Sequence, residues 1–238
     1  DEIFNLLLTR ASEDFDWSGI SPTIFGAVFE STLNPETRRK GGMHYTSIEN
    51  IHKVIDPLFM DDLQAELSEI KQIAVTKTRE QRLAAFQDKI ASLKFLDPAC
   101  GSGNFLTETY LSLRKMENEV IRLLLDSRTA STKTEQAKIS AGQIVMGIGI
   151  ANPIRVSIRQ FYGIEINDFA ATVAKTALWI AESQMMKQTE DIVHMNLDFL
   201  PLKSYVNIIE GNALRIDWET VVPKRELNYI MGNPPFVG

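Results

Sequence analysis

At 238 residues, 44% of them hydrophobic, the chain suffices for one large domain, or for a small helical piece joined to an α/β domain. Its net charge of −6 argues against strong nucleic-acid binding by this chain alone, while leaving room for a local basic patch or a further part of a longer protein. No apolar run approaches ~20 residues and acidic Asp1-Glu2 open the chain, so neither a membrane span nor a signal peptide is predicted. A single cysteine, Cys100, excludes an internal disulfide and a multi-cysteine zinc site and fits a reducing, cytoplasmic compartment. With His44, His52 and His194 scattered along the chain, no metal site is expected.

Residues 3–8 are apolar enough for a short helix. Ser21-Pro22 then reads as an N-cap followed by proline at the first helical position. Ile24, Phe25, Val28, Phe29 and Leu33 recur at spacings of three and four, which predicts that this face is buried; Asn34-Pro35 ends the helix. The next loop, Arg38-Arg39-Lys40-Gly41-Gly42-Met43-His44-Tyr45, is basic and then aromatic. Its cations read as a solvated loop or as phosphate contacts. Thr46-Ser47-Ile48-Glu49 has capping-box spacing and opens another helix, which Pro57 interrupts. From Asp61 to Ser92 two amphipathic helices are predicted, with a break near residues 76–78.

The α/β part begins at Lys94. Phe95-Leu96-Asp97 reads as a buried parallel strand, Pro98-Ala99-Cys100-Gly101-Ser102-Gly103 as a glycine turn, and Asn104 to Asp126 as a helix. That sequence of elements is the usual entry to a nucleotide-like site in doubly wound folds. A phosphate-binding loop would need a Gly-Lys-Ser/Thr ending, and a dinucleotide fingerprint would need glycine where Leu106 stands. A third reading places an acid, Asp97, opposite a ligand that carries positive charge, since it would repel a pyrophosphate but attract an ammonium or sulfonium group. A chance Gly-x-Gly turn stays open at this point.

Residues 127–142 read as a surface loop or frayed helix. Phe161–Ile166 is a second strand ending near Glu165. Asn167 caps a long helix with small apolar residues on one face. Val206–Glu210 is a third strand leading to Gly211-Asn212, and Leu227–Met231 a fourth leading to Gly232-Asn233-Pro234-Pro235-Phe236. Alternating strands and helices imply a parallel sheet, with the ligand outside the carboxyl ends of the strands, where all four polar clusters fall. Glu165 is placed to accept ribose hydroxyls or to be a plain strand-end acid, although it follows Asp97 by 68 residues, far more than a dinucleotide unit allows. Asn212 could meet an adenine edge or simply make a turn. The two prolines after the fourth strand stop the ladder and stiffen the loop, which would fix the Asn233 amide oxygen and the Pro234 carbonyl. Phe236 offers a stacking face for a planar base, or else packs in the core.

Asp97-Pro98-Ala99-Cys100-Gly101-Ser102-Gly103 together with Asn233-Pro234-Pro235-Phe236 resembles the paired signature of adenine-specific DNA methyltransferases that use S-adenosylmethionine, in the gamma motif order. Phe25–Glu30 and Gly42-Met43-His44-Tyr45-Thr46 resemble the helical lead-in of the large methyltransferases of restriction–modification and phage-exclusion systems. The likeness covers most of the chain from residue 22, with residues 61–92 and 127–155 contributing little. It implies an α/β, Rossmann-like methyltransferase sheet running from residue 94 to 238 behind a helical region at 1–93. By the same resemblance, cofactor contacts fall to Tyr45, Thr46, Asp97, Ala99, Gly101, Gly103, Glu165, Ile166 and Asn212, and the catalytic tetrapeptide is Asn233, Pro234, Pro235 and Phe236. Many relatives carry aspartate at the position of Asn212 and tyrosine at that of Phe236. Cys100 reads as a small packed side chain, not a nucleophile.

The implied reaction is direct methyl transfer to the exocyclic amino group of an adenine flipped out of double-stranded DNA. The alternatives are a cofactor-binding fragment without activity of its own, and a protein-glutamine or RNA methyltransferase. The chain is expected to be part of a longer protein whose recognition elements lie elsewhere. Related sheets continue through further strands, so Leu227–Met231 is expected to form an apolar edge, and residues 1–238 alone to associate and show little activity.

Overall fold

The computed structural model describes residues 20–32, 46–131, 152–197 and 206–235. In chain order it contains α1 (Pro22–Thr32), α2 (Ile48–Ile55), a π-helical turn (Asp56–Met60), α3 (Asp61–Lys71), α4 (Thr76–Ser92), β1 (Phe95–Asp97), α5 (Asn104–Ser131), β2 (Phe161–Glu165), α6 (Asp168–Val193), β3 (Asn207–Glu210) and β4 (Tyr229–Ile230). The strands form one parallel sheet in the order β3-β2-β1-β4, with Phe95 opposite both Phe161 and Tyr229. Every predicted strand is present; β1 has the predicted bounds and the other three are shorter, confined to residues that pair.

Alternation along the strands sends side chains to two different layers. Phe95, Phe161, Ile208 and Tyr229 face a core built with α5, α6 and the N-terminal helices. Leu96, Ile164 and Ile209 face a smaller layer made by the β3–β4 connection, including Val222, Trp218 and Leu227. The Phe95 ring stacks on Phe161 at 5.2 Å and on Tyr229 at 5.5 Å, so one aromatic row crosses three strands. Phe59 lies over that row, 5.1 Å from Phe95 and 4.8 Å from Tyr229. Each such pair adds about 0.5–1.5 kcal/mol beyond its burial. The apolar core therefore runs without a break from the helical lead-in into the sheet.

Several local expectations are corrected. Pro57 does interrupt α2, as expected, but with a π turn at Asp56–Met60 and not a loop, and that turn carries Phe59 into the aromatic row. The break between α3 and α4 falls at residues 72–75, just ahead of the predicted threonines. α5 runs on to Ser131, so the first residues of the predicted loop are helical. In α1, Ile24 and Val28 are half exposed at 50% and 53%, and the buried ones among its described side chains are Pro22, Thr23 and Gly26; Phe29 and Leu33 lie outside that description. The reason is close approach: a Cβ on Gly26 would lie 2.8 Å from the Ser102 side chain, so α1 packs its small face on the glycine turn. Ser21 does start this helix, its Oγ accepting from the Ile24 amide at 3.4 Å. The predicted helix at 3–8 and the basic residues Arg38, Arg39 and Lys40 lie outside the described residues.

A buried polar cluster secures the long β1-to-β2 crossover. Arg114 and Glu117, both fully buried, form an ion pair. Glu117 Oε1 also accepts from Gln87 Nε2 (2.8 Å) and from the backbone amides of Arg155 (2.7 Å) and Val156 (3.1 Å). The chain returning from the insertion is thereby fixed to α4 and α5 before it enters β2, which sets the height of Glu165 at the sheet end. β3 and β4 are the sheet edges among the described residues. On β4, Ile230 is 52% exposed, and Met231 just after it is buried.

Gly103 is where α6 meets the glycine turn after β1. It sits at φ +80, and a Cβ there would lie 2.8 Å from the Ala174 Cβ and 3.1 Å from the Ala174 Cα. Gly103→Ala is expected to destabilise the fold by about 1–3 kcal/mol, because both the left-handed backbone and the helix approach are lost. Chemical denaturation checks this; an unchanged midpoint would show that α6 can move away freely.

Candidate cofactor and catalytic site

The carboxyl ends of all four strands open on one cavity of about 430 Å³. Its wall brings together the turn after β1 (Asp97 to Ser102), the end of β2 (Glu165, Ile166), the loop after β3 (Gly211 to Leu214, Trp218), the loop after β4 (Asn233, Pro234, Pro235) and Thr46. Ten sequence-predicted residues thus line it: Thr46, Asp97, Ala99, Gly101, Glu165, Ile166, Asn212, Asn233, Pro234 and Pro235. Gly103 does not; it faces Ala174. Tyr45 and Phe236 lie outside the described residues.

Two carboxylates form the floor. Asp97 is 2% exposed, and its Oδ1 accepts from the Ala99 amide at 3.0 Å, which folds the turn back on the strand end. Burial drives its pKa up to about 7, against the pull of that hydrogen bond and with a further push from the Glu165 charge. Glu165 Oε2 accepts from the Gly101 amide at 2.8 Å and Oε1 from the Asn167 amide at 2.9 Å. Each oxygen keeps a second lone pair for a hydroxyl donor. The Ala99 and Gly101 amides are thus matched to protein carboxylates and the Cys100 amide to the Ile164 carbonyl, and none of the described cavity-lining residues is basic. A phosphate would meet two acids with no compensating cation, whereas a positively charged ligand would meet the opposite charge it needs.

Around this polar floor the walls are apolar. Ile166 is 60% exposed at the cavity and offers a flat contact for a heterocycle. Asn212 Oδ1 is taken by the Leu214 amide at 2.9 Å, so its turn role is real, and its Nδ2 group is not used in that turn. Trp218 and Leu214 were not found from the sequence. Trp218 lies beyond the glycine turn with no motif to mark it, and its Nε1 donates to the Ala213 carbonyl at 2.8 Å, bracing the loop after β3. Cys100 is buried, and burial first, then the Asp97 and Glu165 charges, pushes its thiol pKa well up, so thiolate chemistry is disfavoured. Among the described residues no group of three or more His, Cys, Asp or Glu is placed to hold a metal.

The lead-in reaches the cavity through α2. The helix is capped by Ser47, whose Oγ accepts from the Asn50 amide at 3.4 Å, one residue later than the predicted Thr46 cap. Thr46 is thereby released to face the loop after β4, where Asn233 Nδ2 donates to Thr46 Oγ1 at 3.4 Å. On the same helix His52 bonds Asp56 (2.8 Å) and Glu108 of α5 (3.3 Å), and Glu108 also accepts from Thr23 Oγ1 of α1 (3.3 Å). Desolvation alone would lower the imidazole pKa, but the two carboxylates outweigh it and raise it.

A parallel sheet with an acidic cavity at its carboxyl end, without a cation among its described lining and bordered by an Asn-Pro-Pro segment, is consistent with a Rossmann-like methyltransferase class. Residues 73–238 match the family model described as the MmeI DNA-methyltransferase domain, and the chain belongs to that family. It is 39% identical over 235 residues to DNA methyltransferase A of Bacillus subtilis, covering 98% of this chain and 24% of that protein. It is 26% identical over 260 residues to a putative type II restriction enzyme and methyltransferase of Methanocaldococcus jannaschii, covering 97% of this chain and 19% of that one. Among solved structures it matches the type IIL restriction–modification enzyme MmeI in complex with DNA, with a TM-score of 0.78 and 42% identity, over 94% of this chain and 27% of that one. The chain thus spans about a quarter of the length of these relatives.

Proposed function

We propose that the protein containing this chain transfers a methyl group from S-adenosylmethionine to the exocyclic amino group of adenine in double-stranded DNA, and that residues 1–238 supply its cofactor-binding and catalytic half. The observation that carries this reading is the meeting of the Asp97–Ser102 turn and the Asn233-Pro234-Pro235 segment in one acidic cavity. Its volume lies within the range of about 300–1,000 Å³ common to small-molecule sites. The absence of basic groups from its described lining fits a ligand with a sulfonium and an ammonium group.

Asp97 would hold the cationic end of the cofactor, Glu165 the ribose hydroxyls, and Ile166 one face of the adenine ring. When bound, S-adenosylmethionine supplies the methyl group, which passes to the amino nitrogen as its bond to sulfur breaks and that electron pair stays on sulfur. Asn233 Oδ1 and the Pro234 carbonyl accept hydrogen bonds from the two N–H groups of the target and turn its lone pair toward the methyl. Neither oxygen is basic enough to keep a proton, so the proton lost from the amino nitrogen goes to water. Phe236 stacks on the flipped base, whose extraction requires about a few kcal/mol. Positioning supplies most of the acceleration. A buried thiol with a raised pKa supports this route over one needing a cysteine nucleophile. No described helix is long and apolar enough to cross a membrane.

Calorimetric titration of the protein with S-adenosylmethionine tests the cofactor assignment. One site per chain is expected, with weaker binding of S-adenosylhomocysteine, which lacks the sulfonium charge. Absence of binding would overturn it.

A further inference from the structure

We propose that Thr46 is a positioning residue for the catalytic amide: its hydroxyl holds the NH₂ end of Asn233, so that Oδ1 is the end presented to the target amino group. This rests on the reading of Asn233 as the residue that grips the target.

A carboxamide has two ends of similar size and opposite hydrogen-bonding sense. Only the oxygen can accept from an amino group, so a side chain free to rotate would present the wrong end part of the time. The Pro234-Pro235 pair stiffens the backbone after Asn233 but leaves its side-chain torsions untouched. The side-chain contact that holds the amide with Oδ1 free is the donation from Asn233 Nδ2 to Thr46 Oγ1 at 3.4 Å, between residues 187 positions apart. Because Asn233 is exposed, that contact competes with water unless both partners are held.

Both are held. On one side Ser47 caps α2, whose Ile51 and Ile55 are fully buried, and His52 ties the same helix to Glu108 on α5. On the other side the chain before Asn233 is fixed at Met231, whose amide donates to the Leu96 carbonyl at 3.0 Å and whose sulfur accepts from Thr109 Oγ1 at 3.5 Å. Between them, Gly232 passes so close to Asp97 that a Cβ would lie 2.4 Å from Oδ1. The one-residue displacement of the helix cap from Thr46 to Ser47 is what frees the threonine hydroxyl for this contact.

The test measures methyl transfer to DNA by the full-length protein, as wild type and as Thr46→Val, Thr46→Ser, Asn233→Ala and Thr46→Val/Asn233→Ala, together with S-adenosylmethionine affinity. Thr46→Val is expected to lower kcat about tenfold with cofactor affinity nearly unchanged, the loss of one orienting hydrogen bond, and Thr46→Ser to restore it. In the Asn233→Ala background the valine is expected to have no further effect, because there is no amide left to orient. An equal loss of kcat in both backgrounds, or a rise in KM for the cofactor with kcat intact, would overturn the proposal and leave Thr46 as a cofactor contact. A wild-type protein that methylates no adenine would instead refute the reaction assigned above, so the two failures are distinguishable.

Discussion

Asp97→Asn is expected to leave a protein more stable than the wild type at pH 8 and with most of its affinity for S-adenosylmethionine gone. The carboxyl of Asp97 is buried, with its pKa raised from 3.8 to about 7. Between those two values the folded state retains a proton that the unfolded chain has released. This group's contribution to stability is therefore greatest below the unfolded value and is lost as pH rises through about 7. At pH 8 the buried charge penalises folding by on the order of 2–4 kcal/mol. Asparagine keeps an acceptor for the Ala99 amide and removes the charge, so the melting temperature rises at pH 8, and the difference from wild type shrinks as pH falls toward 4. Cofactor affinity follows the opposite logic: a cation wants the ionised acid, so wild-type affinity climbs with pH up to about 7 and flattens above it. The variant should lose that dependence and bind about 10–100-fold more weakly, as for a lost hydrogen bond to a charged group. A destabilised variant with normal affinity would assign Asp97 to shaping the turn alone.

Asn233→Ala should abolish nearly all turnover while leaving the cofactor site intact. In the proposed reaction its amide would interact with the target chiefly as charge develops on the amino nitrogen, so its removal is expected to lower kcat about 10²–10³-fold. Because that interaction is made in the transition state, kcat and kcat/KM should fall together. Single-turnover kinetics with cofactor affinity measured alongside would check this. A variant with normal kcat and a raised KM for DNA would place Asn233 in substrate binding only.

Much of this site was legible because its chemistry is carried by short contiguous motifs. Phe95-Leu96-Asp97 followed by a glycine turn, and Asn233-Pro234-Pro235 after an apolar strand, each join a strand end to special backbone chemistry, and parallel topology brings such ends together. What sequence reasoning missed depends on approach between distant segments. The exposed Ile24 and Val28 look like a core stripe, and only the fit of Gly26 against Ser102 turns α1 the other way. Ser47 and Thr46 are adjacent candidates for one cap; Ser47 takes it, and Thr46 faces Asn233 across the cavity. Trp218 reaches the cavity through an irregular connection with no periodicity to read. Phe59 enters the aromatic row through a π turn that a proline alone does not announce.

The electrostatic reading of Asp97 gained the most from the structure. In sequence it was an acid where phosphate binders avoid one. In the fold it is a nearly fully buried carboxylate beside Glu165, in a cavity whose described lining has no cation. A fold retains such a liability at functional sites, where the charge has work to do on a ligand.

The central claim is met most directly by incubating the full-length protein with double-stranded DNA and S-adenosylmethionine labelled in its methyl group, then digesting the DNA to nucleosides. The label is expected in N6-methyladenine. Label in methylcytosine, in RNA or in methylglutamine, with none in adenine, would contradict the assignment.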